Sequence, residues 1–206
     1  PPASIPGGHG LRSMALQAMA HRLLGHQPPT DYGDFLQQRL EINYFAACAL
    51  MPRTSAVEFL QQAKRDRNLA VEDFRDAFGV THEAAGMRMT NLLTEHLEIP
   101  LHFLRVDGAG AINRVYENDD LPLPMDVTGS VEGQIVCRWF SARSAFGEKN
   151  RTVEHYQYTD TPQGTFWCSV NKSRRRPALS SAVTISPRPW FHSCVTVALN
   201  SRSVST

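Results

Sequence analysis

The chain has no apolar run long enough to cross a membrane. Its longest, around Tyr44 to Met51, falls far short of the roughly 20 residues that a span needs. It has no secretory signal either, because residues 1–10 are rich in proline and glycine and lack a basic start followed by an apolar core. Cysteine is sparse: four in 206 residues are too few for a disulfide scaffold. Without a secretion signal, that points to reduced thiols and a cytoplasmic location. Neither GxxxxGK[ST] nor GxGxxG occurs, which removes the phosphate-cradling loops. No serine sits in an elbow motif, so a Ser-His-Asp hydrolase is not proposed. There is no initiator methionine and the chain opens on Pro1-Pro2, so it reads as a fragment of something longer.

Acid is missing from one end. Residues 171–206 carry Lys172, Arg174, Arg175, Arg176, Arg188 and Arg202 and no Asp or Glu. The net charge of +1 therefore hides an acidic body and a basic tail. The tail, 172–206, is also rich in serine and proline. It reads as disordered, as a nucleic-acid patch, or as an out-of-frame stretch of a GC-rich gene.

What is present is an ordinary globular composition, 42% apolar, 9% aromatic and 20% charged. Apolar spacing predicts a helix over 11–24, stopped by Pro28-Pro29, and a second over 34–51, ended by Pro52. A third covers 56–67, with Val57, Leu60 and Ala63 on one side. A fourth covers 69–78 and is closed by Gly79. Thr81 is the N-cap of a fifth that runs to about Leu97. After Pro100 the period changes. Residues 101–106 and 111–116 read as a hairpin around Asp107-Gly108-Ala109-Gly110. Residues 134–140 read as strand or short helix, and 155–158 and 165–170 as strands. The fold class is α+β: a helical region at 1–98 followed by a mixed α/β domain at 99–171.

Three constellations could carry chemistry. His21-Arg22-Leu23-Leu24-Gly25-His26 approaches a zinc-peptidase helix. Its histidines are spaced i, i+5, however, about 140° apart on an ideal helix, and Arg22 replaces the glutamate base. Residues 74–88 have the rhythm of a helix-turn-helix, but the second helix offers His82, Glu83, Gly86 and a late Arg88, a poor set for reading bases. Cys137 and Cys168 lie in aromatic settings outside any CxxC pair and read first as structural thiols.

Two stretches resemble a known family. Glu41-Ile42-Asn43-Tyr44-Phe45-Ala46-Ala47-Cys48-Ala49-Leu50-Met51-Pro52 resembles the helix that follows the zinc-binding helix of ImmA/IrrE-type metalloprotease-like modules. On that likeness His21 to His26 is the remnant of a lost active site. The second stretch runs through Ile99-Pro100-Leu101-His102-Phe103-Leu104-Arg105-Val106-Asp107, Gly133-Gln134-Ile135-Val136-Cys137-Arg138, His155-Tyr156-Gln157-Tyr158 and Gly164-Thr165-Phe166-Trp167-Cys168. It is similar to the sensing region of short-chain fatty acyl-CoA transcriptional regulators, nearest the actinobacterial propionate-catabolism group, over residues 34–170.

The resemblance implies a non-enzymatic sensor. Such regulators bind promoter DNA through an N-terminal helix-turn-helix domain absent from this chain, form homo-oligomers, and sense a short-chain acyl-CoA of the propionyl class. Arg105, Arg114, Arg138 and Arg143 are the expected phosphate partners, since guanidinium forks suit phosphate oxygens. Trp139, Tyr156, Tyr158 and Trp167 are the expected adenine or acyl walls, with Phe140 beside them. Cys137 and Cys168 match cysteines through which some members are reported to hold an iron–sulfur cluster. The alternatives left open are a zinc metalloprotease-like enzyme and a DNA-binding module at 74–93.

Overall fold

The structure, a computed structural model, describes residues 8–119, 121–147, 155–162, 164–174 and 192–200. The chain divides into two compact units, Pro1–Leu97 and Glu98–Thr206. The fold is α+β: among the described residues, five of six helices precede an antiparallel five-stranded sheet.

The first unit holds α1 (Gly8–Leu23), α2 (Tyr32–Leu50), α3 (Arg53–Arg65), α4 (Val71–Phe78) and α5 (His82–Leu92), the last running into a π-helical turn at Leu93–Leu97. Side-chain caps start α2 and α5. The Asp31 carboxylate accepts the Asp34 N–H at 2.8 Å, and the Thr81 hydroxyl accepts the Ala84 N–H at 3.2 Å. Each satisfies a donor that the first helical turn leaves without an intrahelical partner. Helix α3 buries Ala56, Leu60 and Ala63 at helical spacing. An aromatic cluster joins α3 to α4: the Phe74 ring lies 5.7 Å from Phe59 and 4.7 Å from Phe78. Gly79, at φ 61°, closes α4 in the left-handed conformation that glycine adopts without strain.

The second unit is built on β1 (Leu101–Val106), β2 (Ile112–Glu117), β3 (His155–Thr161), β4 (Gly164–Arg174) and β5 (His192–Asn200), in the order β2-β1-β5-β4-β3. The β1–β2 turn is set by Asp107, whose Oδ1 accepts the N–H groups of Ala109 at 2.9 Å and Ala111 at 3.0 Å. Residues 134–140 are neither full strand nor helix: Ile135 makes an isolated bridge to Ala111, and a short helix, α6 (Ser141–Gly147), follows. One sheet face is closed by α6 and the 121–136 segment. Its core is Leu104, Val106, Ile112, Leu123, Val131, Val136, Ala142, Ala145 and Val170.

The tail differs from the disordered reading at two places. Residues 172–174 complete β4, and His192–Asn200 is the middle strand of the sheet. The sequence Cys194-Val195-Thr196-Val197-Ala198-Leu199 carries the β-branched residues that strands favour; a composition count over 172–206 averages them away. Residues 175–191 and 201–206 of that segment lie outside the described residues, as do residues 1–7.

Phe74 is fully buried. Phe74→Ala is therefore expected to cost about 3–5 kcal/mol, read as a lowered urea midpoint with little change in slope.

Candidate functional sites

The histidine pair of the first unit is closer than its spacing implies. Helix α1 ends at Leu23, and Gly25, at φ 69°, turns the chain back. The His26 N–H donates to the His21 carbonyl at 2.9 Å and the Gly25 N–H to the Arg22 carbonyl at 3.3 Å. This is the reversal that a left-handed glycine makes past a helix end. It brings the two imidazoles edge to face, 5.4 Å between centroids, instead of splaying them along one helix. His26 Nε2 then lies 2.8 Å from Glu41 Oε2 on α2, and Gln37 Nε2 donates to Glu41 Oε1 at 2.8 Å. Those bonds, Gln37's first, hold the Glu41 carboxyl below its usual range. Sequence reasoning passed over Glu41 as a partner of His26; the two are 15 residues apart and no fixed motif spacing links them.

This set does not fit a zinc peptidase. Arg22 stands where the base would be. Among the described residues no group of three or more His, Cys, Asp and Glu could hold a metal ion.

The helix-turn-helix rhythm of 74–93 is real as a corner, but its second helix is a core element. His82, Ala85, Gly86, Arg88, Met89, Thr90 and Leu92 are buried. Arg88 packs over the Tyr44 ring at 5.7 Å. A helix that reads DNA must present its early turns to a groove, so the DNA-binding reading of this segment is corrected.

In the second unit, register sorts the expected ligand residues. Arg105 lies opposite Arg114, Phe103 opposite Tyr116, and Tyr158 opposite Trp167. Through β5, Phe103 aligns with Val197 and Ser169, and Leu101 with Leu199 and Trp167. Cross-strand partners share a face. Arg105, Arg114, Tyr156, Tyr158 and Trp167 therefore occupy one face, opposite the side closed by α6. The Tyr156 and Trp167 rings stack at 5.8 Å and 11°. Arg114, Tyr156 and Tyr158 are exposed at the two rims, while Leu101, Phe103 and Ser169 between them are buried. Trp167 aligns with Leu101, four residues along β1 from Arg105, so the arginine and aromatic groups are offset by about 13 Å along the strands as well as two strand spacings, about 10 Å, across them.

The other three expected partners lie off this face, in and after the 134–140 segment. Arg143 Nη1 donates to the Val136 carbonyl at 3.3 Å and packs so closely on Gly110 that a Cβ there would meet it at 2.9 Å. Arg138 lies over the exposed Trp139 ring at 4.7 Å, and the Trp139 carbonyl accepts from Gln157 Nε2 at 3.2 Å. Arg143 thus braces a loop, and Arg138 and Trp139 form a separate surface pair.

Cys168 and Cys137 are unlike each other. Cys137 is exposed; Cys168 is buried on the closed face, in register with Ala198 and His102. Burial, with the Asp119 carboxylate adding to it and a Ser141 hydrogen bond partly opposing, pushes the Cys168 thiol from 9.0 up to about 11. An iron–sulfur cluster needs thiolates, usually four. Among the described residues, a buried protonated thiol and an exposed one, in no group of three or more ligands, do not fit one.

A buried pair that sequence reasoning missed sits near Cys168. His102 Nδ1 and Asp119 Oδ2 are 2.7 Å apart and both side chains are wholly buried. The His102 ring lies 5.8 Å from Phe166. The signal was a histidine at the core period of β1, where a polar group must find a partner.

Two outcomes test these placements. Gly25→Ala meets no neighbour within 4 Å of the added carbon, so its cost is that of the left-handed backbone alone, about 1 kcal/mol by urea titration. For the thiols, Cys137 is expected to react promptly with an aromatic disulfide reagent and Cys168 only on unfolding. Because Cys168 is harder to ionise folded than unfolded, stability is level below pH 9 and falls as pH rises toward 11. That fall amounts to about 2–3 kcal/mol, and Cys168→Ala removes this part of the alkaline slope.

Residues 15–90 match the family model Peptidase_M78, the IrrE N-terminal-like domain, a span that includes His21, His26 and Glu41. A comparison with curated proteins finds no match. Among solved structures, the chain is similar to a Mycobacterium tuberculosis transcriptional regulator, with a TM-score of 0.61 at 15% identity. The likeness covers 92% of this chain and 56% of that one. It is a likeness of fold, and this chain spans just over half the length of that structure.

Proposed function

We propose that this chain is the ligand-sensing part of a transcriptional regulator. Its second unit binds a short-chain acyl-CoA of the propionyl class, and binding controls genes of short-chain fatty acid and propionate catabolism. Promoter DNA is met by an N-terminal domain outside this chain. The protein works in the cytoplasm and binds its effector without turning it over.

The observation that carries the reading is the Arg105–Arg114 pair. Like charges directly opposite on neighbouring strands destabilise a sheet. Arg105 and Arg114 are register partners, and their planar guanidinium forks suit phosphate oxygens. The Tyr156–Trp167 stack shares that face and offers a flat apolar surface to a heterocycle. A phosphorylated adenine nucleotide carrying a thioester supplies both chemistries. The match of residues 15–90 to the IrrE N-terminal-like domain and the fold shared with a transcriptional regulator support the wider setting. Arg22 beside the first histidine supports a scaffold without peptidase activity.

Thermal melting tests it. Propionyl-CoA at 100 times its dissociation constant is expected to stabilise the chain by about 2.7 kcal/mol, whereas free propionate and ATP do not. Arg114→Ala and Tyr158→Ala, both at exposed rim positions, should cut that shift while leaving the unliganded melting point within about 1 °C. Equal shifts with ATP, or none with any coenzyme A thioester, would sink the proposal. Stoichiometric zinc that disappears in His21→Ala would favour the peptidase reading instead, for which the close approach of His21 and His26 is the supporting observation.

A further inference from the structure

Arg88, on α5, is the one lysine or arginine buried among the described residues, at 4% exposed. Its Nε is buried and makes no hydrogen bond. Charged side chains are seldom buried unless they are paired. Elsewhere in the same unit arginines meet an oxygen: Arg12 donates to the Gly79 carbonyl at 3.2 Å, Arg65 to Gln62 at 2.6 Å and Arg75 to Asp76 at 2.7 Å. Arg88 instead lies over the Tyr44 ring at 5.7 Å. A ring offers no lone pair to an N–H, and a cation–π contact returns only part of what burying a guanidinium costs. Neither α5 nor α2 supplies it a free carboxylate. One turn either way along α5 stand Ala84, Ala85, Asn91 and Leu92. On α2, Glu41 is within one turn of Tyr44, but its Oε2 meets His26 and its Oε1 meets Gln37, each at 2.8 Å.

We propose that Arg88 anchors a site for a small tetrahedral oxyanion of the phosphate or sulfate class, entered beside Tyr44. Tyr44 is 60% exposed, so the ring that lies against the guanidinium is itself at the surface. A planar guanidinium fork takes two oxygens of such an ion at once, and the ion's remaining oxygens stay in water. Because so little of Arg88 reaches solvent, the occupant is a free ion and not the phosphate of a bulky nucleotide. Once bound, it supplies the counter-charge that the buried guanidinium lacks. The site lies wholly within the first unit and stands apart from the acyl-CoA reading.

Thermal melting of the full 206-residue chain in a phosphate-free buffer tests it. Sodium phosphate or sulfate is expected to raise the melting point along a saturating curve with its midpoint in the millimolar range. Sodium chloride and sodium acetate at the same ionic strength should not. Arg88→Met, uncharged and of similar length, should abolish the response. Without added anion it should melt no lower than the unaltered chain, because it removes a buried charge that has no partner. Arg88→Lys keeps the charge but loses the fork and should weaken binding about tenfold. Arg53→Ala, at an exposed position of α3, should respond as the unaltered chain does. If Arg88→Met does not fold, the unaltered chain still decides: phosphate, and not chloride, should shift a slowly exchanging arginine Nε–H resonance. No response to phosphate overturns the proposal, as does an equal response to chloride or acetate. So does a phosphate response that survives in Arg88→Met.

Discussion

Strand β5 is the constraint on which the second unit rests. Among the described residues, the β1–β2 and β3–β4 hairpins meet through β5 alone. A two-stranded hairpin by itself is marginal in water, so closing the hydrogen-bonding edges of both is what makes one sheet from two. The same pairing fixes which side chains share a face. His102, Ala198 and Cys168 align in one row and Phe103, Val197 and Ser169 in the next. A slip of one residue would exchange the two faces of every strand beyond it. The arginine rim and the aromatic rim lie on one surface because this register holds.

The closed face is then committed. Leu104, Val106 and Val170 pack against Ala142 and Ala145 of α6, and the buried His102–Asp119 pair ties the segment after β2 to β1. A buried polar pair contributes little net stability over an apolar one, but removing either partner strands the other. The pair therefore acts as a pin on the strand's register. Cys168, desolvated on the same side, belongs with these structural groups and not with reactive ones.

Much of the fold was legible because local rules and tertiary packing agree. Pro52, Gly79 and Thr81 punctuate the helices where their backbone preferences require it, and the Asp107 turn holds its hairpin. Legibility failed where a residue's meaning depends on distant chain. β5 was hidden inside a tail judged by its missing acids, although acids have no part in strand pairing. Helix α6, seven residues long, has too short a period to stand out. The reversal at Gly25 defeated an argument built on one continuous helix. In the candidate site, alternation along β1, β2, β3 and β4 grouped five of eight expected ligand residues. Arg143 lies apart from them, and its partner, the Val136 carbonyl, is a backbone atom that no residue pattern reveals.

Alternation also says how the proposed effector would be felt. Strand β1 gives Arg105 to the face away from α6 and His102, Leu104 and Val106 to the core; β4 gives Trp167 to one and Cys168 and Val170 to the other. Residues of the two sheet faces thus alternate along the same strands, with no linker between them. A packed core yields in discrete steps, not continuously. An effector that draws Arg105 and Arg114 toward shared phosphates therefore acts on the strands whose reverse side carries α6. It can shift an equilibrium only by the difference between its affinities for two arrangements of that sheet.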